Sequence, residues 1–222
     1  MKTNQTTKII TYLTLLLNLV MFVTALSLAV MIFVTSDDPT KRLSSHFATM
    51  ALTLLPTILH FSLKNKLNLF LYVFAALYVF IAVFLGSSLN FYNTYGNLNY
   101  DKIVHVFFGY SSALVGLYIL LQTKKLNSSS LFFNLLFLFS FALMISAVWE
   151  IFEFSSDRFF GTVTQGDPLD VIGGGSATDV GETMFDIIAN FIGAIIFMIQ
   201  YTFHHKTKKA PIMNFMINEL SK

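Results

Sequence analysis

The chain has 222 residues, of which 55% are hydrophobic, and its mean hydropathy is +0.67. Only 12% of the residues are charged, compared with about 25% in an average soluble domain, and 14 bases against 12 acids leave a net charge of +2. So few charges cannot cover a soluble protein of this length, which excludes an ordinary cytosolic enzyme, a disordered chain and a nucleic-acid-binding protein.

Cysteine is absent, which excludes disulfides, thiolate metal sites and a cysteine nucleophile. The remaining class is an all-α, polytopic membrane protein with no nucleic-acid partner. The whole chain, residues 1–222, is expected to form a single integral domain in contact with the lipid bilayer.

Six apolar segments are long enough to cross a bilayer, which takes about 20 helical residues. In chain order they are residues 9–35, 43–63, 67–89, 101–121, 131–154 and 182–203. The first three are apolar all round, whereas each of the last three carries ionisable residues near one end. A polar connection, residues 155–181, separates the last two, and its glycines predict a mobile or tightly turning backbone.

The positions of lysine and arginine predict the orientation. Ten of these bases fall on one side of the predicted spans and four on the other. Because cytoplasmic loops carry the excess of lysine and arginine, we predict a multi-pass cell-membrane protein with both termini in the cytoplasm. The 155–181 connection then lies on the outer side.

This topology brings ionisable residues of the last three spans to the outer end of the bundle. Asp101 and His105 are one helical turn apart at the start of the fourth span, and Glu150 and Glu153 lie near the end of the fifth. Carboxylates within membrane spans are costly and usually mark a functional site. We therefore expect an outward-facing pocket of carboxylates and histidine.

The sixth span extends this pocket. Glu182, Asp186 and Asn190 repeat every four residues and so share one helix face, and Asp179 precedes them. Further pocket candidates, Gln165 and Asp167, lie in the 155–181 connection.

Carboxylates facing one cavity repel each other unless a cation or proton holds them together. Carboxylate oxygens with one imidazole suit a divalent metal ion. One hypothesis assigns His105, Glu150 and Asp186 as metal ligands, with Glu153 or Asp101 as the general base. The alternatives are a proton relay through His105, a helix cap at Asp101 and a purely structural hydrogen-bond network.

Several short motifs in this half of the chain resemble those of a known family. They are Tyr100–His105 with Gly109, Ser146–Glu153, Gln165–Asp167, and Asp179, Asp186, Asn190 and Gly193. This pattern is similar to the YjdF-type bacterial inner-membrane proteins and, more distantly, to VanZ-like proteins. The YjdF-type resemblance implies a bacterial polytopic membrane protein and no particular activity, while VanZ-like proteins are associated with glycopeptide resistance.

Three functions follow as hypotheses, so the sequence leaves open whether the protein is an enzyme. The first is metal-assisted chemistry on a lipid or cell-envelope substrate. The second is a non-catalytic envelope or resistance factor of the VanZ-like type. The third is a small-solute or cation transporter, which the apolar inner halves of the last three spans disfavour.

Overall fold

The computed structural model describes residues 2–35, 39–62, 68–160 and 177–221, with all their side chains except those of residues 2–4, 39–45, 97, 160 and 177–179. This part of the chain is almost entirely helical and contains no strand. The helices are α1 (Lys2–Thr35), α2 (Pro39–Ser62), α3 (Leu69–Tyr78), α4 (Phe91–Thr94), α5 (Tyr100–Gln122), α6 (Leu131–Phe160), α7 (Ala177–Thr207) and α8 (Pro211–Leu220). A π-helix, Val79–Ser88, continues α3, and a short 3₁₀ turn, Gly96–Leu98, precedes α5. The all-α prediction is confirmed.

Five helical segments among the described residues are long and apolar enough to cross a membrane. They are Gln5–Thr35, Leu69–Ser88, Tyr100–Gln122, Leu131–Phe159 and Val180–Thr207. This number is close to the six predicted. Residues 43–63 are the predicted segment without a counterpart among these five, and α2 contains the part of it that the structure describes.

The chain divides into two units, residues 1–100 and residues 101–222. All the residues of the predicted pocket fall in the second unit.

In the first unit, α1 packs mainly against α2. Many large apolar side chains of α1 stay exposed, among them Phe33 at 70% and Val34 at 75%. Exposed apolar surface on this scale fits a helix in contact with lipid tails. Inside the unit, the buried amide of Asn18 donates to the Thr57 hydroxyl at 2.8 Å, and His60 stacks on Tyr72.

The π-helix of the first unit is stabilised by two tyrosine hydroxyls. Tyr92 donates to the Ala82 carbonyl at 2.8 Å and Tyr100 donates to the Ile81 carbonyl at 2.7 Å. At its end, the Ser88 hydroxyl contacts the His46 ring at 3.1 Å and the Thr49 hydroxyl at 2.8 Å. These contacts supply hydrogen bonds that buried polar groups need in an apolar surrounding.

In the second unit, the long helices α5, α6 and α7 carry the polar residues and α8 closes the opposite end. Met213, Met216 and Leu220 form the buried face of α8. The Tyr110 hydroxyl donates to the Gln200 side chain at 2.5 Å and contacts the Met216 sulfur at 3.7 Å, which links α5, α7 and α8.

The helices extend beyond the predicted spans at the polar end. α6 continues to Phe160 and α7 begins at Ala177, so the predicted 155–181 connection is helical at both ends. The reason is that a helix does not stop where its apolar segment stops: residues 155–160 are polar or aromatic and contain no proline or glycine.

Candidate functional site

Three helices of the second unit bring ionisable side chains together at one end. The start of α5 contributes Asp101, Lys102 and His105, the last turns of α6 contribute Glu150 and Glu153, and the first turns of α7 contribute Glu182 and Asp186. We call these seven residues the polar cluster. The predicted spacing brings the side chains together because residues three or four apart lie on one helix face.

The Lys102 ammonium lies at the centre of three carboxylates. Its Nζ is 2.8 Å from Asp101 Oδ2, 2.5 Å from Glu182 Oε1 and 2.6 Å from Asp186 Oδ1. An ammonium has three N–H donors, so these contacts use all of them. The spacing of the acidic residues predicted no role for Lys102, whereas the structure makes its ammonium the central cation of the polar cluster.

The His105 ring lies between the same two aspartates. Its Nε2 is 3.5 Å from Asp101 Oδ1 and 3.5 Å from Asp186 Oδ1, while the side chain is only 9% exposed. The other ring nitrogen, Nδ1, meets the side-chain amide of Asn190 at 3.2 Å. The imidazole is therefore fixed at both nitrogens, and its Nε2 edge points at the carboxylates.

Asn190 connects the three helices below the polar cluster. It is 1% exposed, and its amide nitrogen donates to the Ser146 hydroxyl of α6 at 2.7 Å as well as contacting His105 of α5. Its carbonyl oxygen is buried with no hydrogen-bond partner among the described residues. Asn190 therefore orients the histidine and retains one unused acceptor.

Glu150 is the least satisfied member of the polar cluster. It is 5% exposed, and neither carboxylate oxygen has a partner at hydrogen-bonding distance among the described residues. Thr183 of α7 is a polar neighbour of this carboxylate. Glu153, one turn further along α6, is 9% exposed and has the Trp149 side chain as a hydrogen-bonding neighbour. A buried carboxylate without partners is costly, so a cation or a proton on this carboxylate would stabilise it.

Exposure changes with depth across the polar cluster. The side chains of Lys102, Asp101 and Glu182 are 27%, 33% and 39% exposed, whereas Asp186 is 5% exposed. The half-exposed residues lie at the ends of α5 and α7, and the buried ones lie one turn deeper. A polar ligand would therefore reach the buried carboxylates past Asp101, Lys102 and Glu182.

One group of side chains has the geometry of a metal site. Asp101, His105 and Asp186 each offer a ligand atom, and these three atoms lie within 4.8 Å of one another. Glu150 lies close enough to His105 to act on it electrostatically. The sequence hypothesis combined His105 and Asp186 with Glu150, whereas the group with this geometry contains Asp101 in place of Glu150.

The remaining predicted residues divide into three cases. Glu182 belongs to the polar cluster and contacts Lys102, whereas Asn190 lies outside the cluster and contacts its His105. Gln165 and Asp167 lie outside the described residues, and the side chain of Asp179, at the start of α7, lies outside them as well.

Two glycines allow α5 and α7 to approach closely beside the polar cluster. A Cβ on Gly109 would overlap the main-chain carbonyl of Asn190, and a Cβ on Gly193 would overlap the carbonyl of Val106. Each glycine lies one turn beyond a residue of the His105–Asn190 pair. Small residues at membrane helix crossings permit such approach.

Comparison with known proteins gives a family. The family described as "Predicted membrane protein (DUF2238)" matches residues 16–207 of the chain. The chain belongs to this family. The predicted resemblance to YjdF-type proteins is confirmed, because these are the same family. Neither the curated proteins nor the solved structures include a significant match.

The matched range covers the five candidate spans almost completely, including every member of the polar cluster. The family description agrees with the helical, apolar structure in assigning the protein to membranes. It names no activity, so the function has to be argued from the polar cluster.

Proposed function

We propose that the protein is a membrane-embedded metalloenzyme that binds a divalent cation in the polar cluster. The observation that carries this proposal is the convergence of Asp101, His105 and Asp186, with one ligand atom each within 4.8 Å of the others. Glu150 supports it independently, since this buried carboxylate has no hydrogen-bond partner among the described residues. A divalent ion would neutralise the carboxylates and supply the missing partner.

The donor set indicates the class of ion. Carboxylate oxygens combined with one imidazole suit Mn²⁺, Zn²⁺ or Fe²⁺, whereas Ca²⁺ and Mg²⁺ prefer sites made of oxygen ligands alone. Asp101, His105 and Asp186 would be the ligands, and Glu150 would be the fourth. Asp101 thus changes from the general base of the sequence hypothesis to a ligand.

The chemistry would be the activation of a water molecule. A divalent ion makes coordinated water more acidic and polarises an ester or phosphoryl oxygen. Glu153, buried one turn from Glu150, would accept the proton of that water as general base. Its burial at 9% exposure keeps bulk water away from the transferred proton.

The substrate class follows from where the polar cluster lies. Its residues occupy the first turns of the spans Tyr100–Gln122 and Val180–Thr207 and the last turns of Leu131–Phe159. The ends of membrane spans lie at the depth of lipid headgroups. We therefore propose that the substrate is a polar group of a membrane lipid or of a lipid-linked cell-envelope precursor.

Metal analysis tests the binding step. The protein is purified in detergent without chelators, and its metal content is measured by mass spectrometry before and after dialysis against Mn²⁺. We expect close to one ion per chain in the wild type and a loss of the ion in His105→Ala and Asp186→Asn. The exposed His205 provides the matched control, since His205→Ala should retain the ion.

A wild type that holds no ion after dialysis would refute the metal site. The catalytic step needs its own measurement, in which the purified protein is incubated with total membrane lipid and the products are followed by mass spectrometry. Product that requires both Mn²⁺ and His105 supports an enzyme. An ion bound without any product supports the non-catalytic factor instead.

A further inference from the structure

Lys102 and the proposed metal ion need the same carboxylates. The ammonium binds Asp186 Oδ1 at 2.6 Å, and His105 Nε2 lies 3.5 Å from this same oxygen. Asp101 is shared as well, because its Oδ2 binds Lys102 while its Oδ1 faces His105. Two of the four proposed protein ligands, Asp101 and Asp186, are therefore already paired with a cation that belongs to the chain.

An ion bound beside the ammonium would place two cations on one carboxylate oxygen. Like charges a few ångströms apart repel strongly away from bulk water, and Asp186 is only 5% exposed. The favourable arrangement is therefore one cation at a time on Asp186.

Of the two cations that compete for Asp186, the Lys102 ammonium is the one that can move away. It is 27% exposed, lies in the first turn of α5 and has a flexible four-carbon stem that can extend toward the headgroup region. Glu182, the most exposed of its partners at 39%, is outside the group Asp101–His105–Asp186. After displacement, the Lys102–Glu182 ion pair can persist at the mouth of the polar cluster.

We propose that Lys102 is a displaceable internal cation that sets the affinity and the charge selectivity of the site. This inference rests on the proposed metal site. A monovalent ion supplies no more charge than the ammonium that it would displace, so the wild type excludes Na⁺ and K⁺. A divalent ion brings one more positive charge and also gains the His105 nitrogen as a ligand, so it displaces Lys102.

The test compares Mn²⁺ binding by the wild type, Lys102→Met and Lys125→Met. Met keeps the length of the lysine stem without its charge, and Lys125 is an exposed lysine beyond the other end of α5. Mn²⁺ is titrated by calorimetry in choline chloride and again in sodium chloride of equal ionic strength. In choline chloride, we expect Lys102→Met to bind Mn²⁺ at least about tenfold more tightly than the wild type does. In sodium chloride this gain in affinity should be lost. The Mn²⁺ affinities of the wild type and of Lys125→Met should not change when sodium chloride replaces choline chloride.

The outcomes separate this inference from the proposed function. If the wild type binds Mn²⁺ and a folded Lys102→Met binds it equally or less tightly, then Lys102 organises the carboxylates. This result would overturn the inference while the metal site stands. No Mn²⁺ bound by either protein would overturn both.

A second measurement uses the wild type and does not depend on the folding of a variant. The protein is treated with an amine-acetylating reagent with and without Mn²⁺, and modification is quantified by peptide mass spectrometry. A displaced Lys102 should become several-fold more reactive when Mn²⁺ is bound, while Lys125 should not change. Equal reactivity of Lys102 in both states would contradict displacement.

Discussion

The side-chain amide of Asn190 meets Nδ1 of His105 at 3.2 Å, across the crossing of α7 and α5. With Asn190 donating to Nδ1, the ring proton lies on Nε2 and faces Asp101 and Asp186. Coordination of an ion through Nε2 would move that proton to Nδ1, which then needs an acceptor. The buried carbonyl oxygen of Asn190 can become that acceptor by rotation of the amide.

Replacing Asn190 by leucine should therefore weaken both the fold and the metal site. The change removes the hydrogen bonds to Ser146 and His105, at a cost of about 1–3 kcal/mol in the free energy of unfolding. Mn²⁺ affinity should fall by about 10–100-fold, as it does when partners of metal-binding histidines are lost. Chemical unfolding in detergent and Mn²⁺ calorimetry measure the two effects.

Asn134 is the matched control for this prediction. It is also 1% exposed, and its amide donates to the Leu126 carbonyl at 2.9 Å and to the Tyr201 hydroxyl at 3.2 Å, toward the other end of the unit. Asn134→Leu should cost similar stability and leave the affinity for Mn²⁺ unchanged. Equal losses of affinity in both variants would mean that Asn190 acts only through the fold.

Glu150 and Asp186 should respond to apolar substitution with opposite signs. Glu150→Met removes a buried carboxylate that has no partner, so the ion-free protein should be unchanged or about 1 kcal/mol more stable. Asp186→Leu removes an acceptor of the Lys102 ammonium and should cost about 1–3 kcal/mol. Both variants should lose Mn²⁺ affinity.

Chemical unfolding of the ion-free variants, with chelator present, measures these differences. If Glu150→Met is destabilised as much as Asp186→Leu, then Glu150 has a partner within the protein. Its carboxylate is then not available as a metal ligand.

Alanine at Gly109 or Gly193 should destabilise the second unit. In each case the new methyl group overlaps a main-chain carbonyl of the facing helix, which cannot move aside as a side-chain tip can. We expect a loss of about 1–3 kcal/mol for either variant, measured by thermal unfolding in detergent. Gly181 is the control on α7, since a Cβ there meets nothing within 4 Å.

Gly181→Ala should be neutral or stabilising by up to about 1 kcal/mol, because alanine favours helix over glycine. A Gly193→Ala variant that unfolds at the same temperature as Gly181→Ala would contradict the close approach of α5 and α7.

The orientation predicted from the lysines can be tested by reporter fusions. A reporter that is active only outside the cytoplasm should be inactive when inserted after Lys125 or fused after Lys222, and active when inserted after Gly166. The physical reason is the excess of basic residues on the side that contains both termini. The reverse pattern would place the polar cluster at the cytoplasmic face and contradict the predicted outward-facing pocket.

The helical periodicity was enough to predict most of the polar cluster. Asp101 and His105, and likewise Glu182, Asp186 and Asn190, are four residues apart, and the structure places each set on one side of its helix, toward the others. Such local spacing depends only on helix geometry, so sequence patterns report it well. The direction of successive spans then identifies which helix ends meet.

The role of Lys102 depends on contacts with residues far away in the chain, which a local sequence pattern does not report. Its partners Glu182 and Asp186 are 80 and 84 residues away in the chain, and their approach depends on the register of α7 against α5. A charge count would have indicated it, since Lys102 and Arg158 are the only bases predicted at that end of the last three spans. The hydrogen bond between Ser146 and Asn190 could not be predicted for the same reason, because the two residues are 44 positions apart in the chain.

The crossing at Gly109 and Gly193 also determines how the metal site would assemble. With main chain against main chain at two points, α7 cannot slide along α5, so the spacing of Asp101 and His105 from Asp186 is set by the backbone. The ligands are thus preorganised, and ion binding would require little ordering beyond the movement of one lysine side chain. Differences in affinity between ions should therefore reflect the size and ligand preference of each ion more than any rearrangement of the helices.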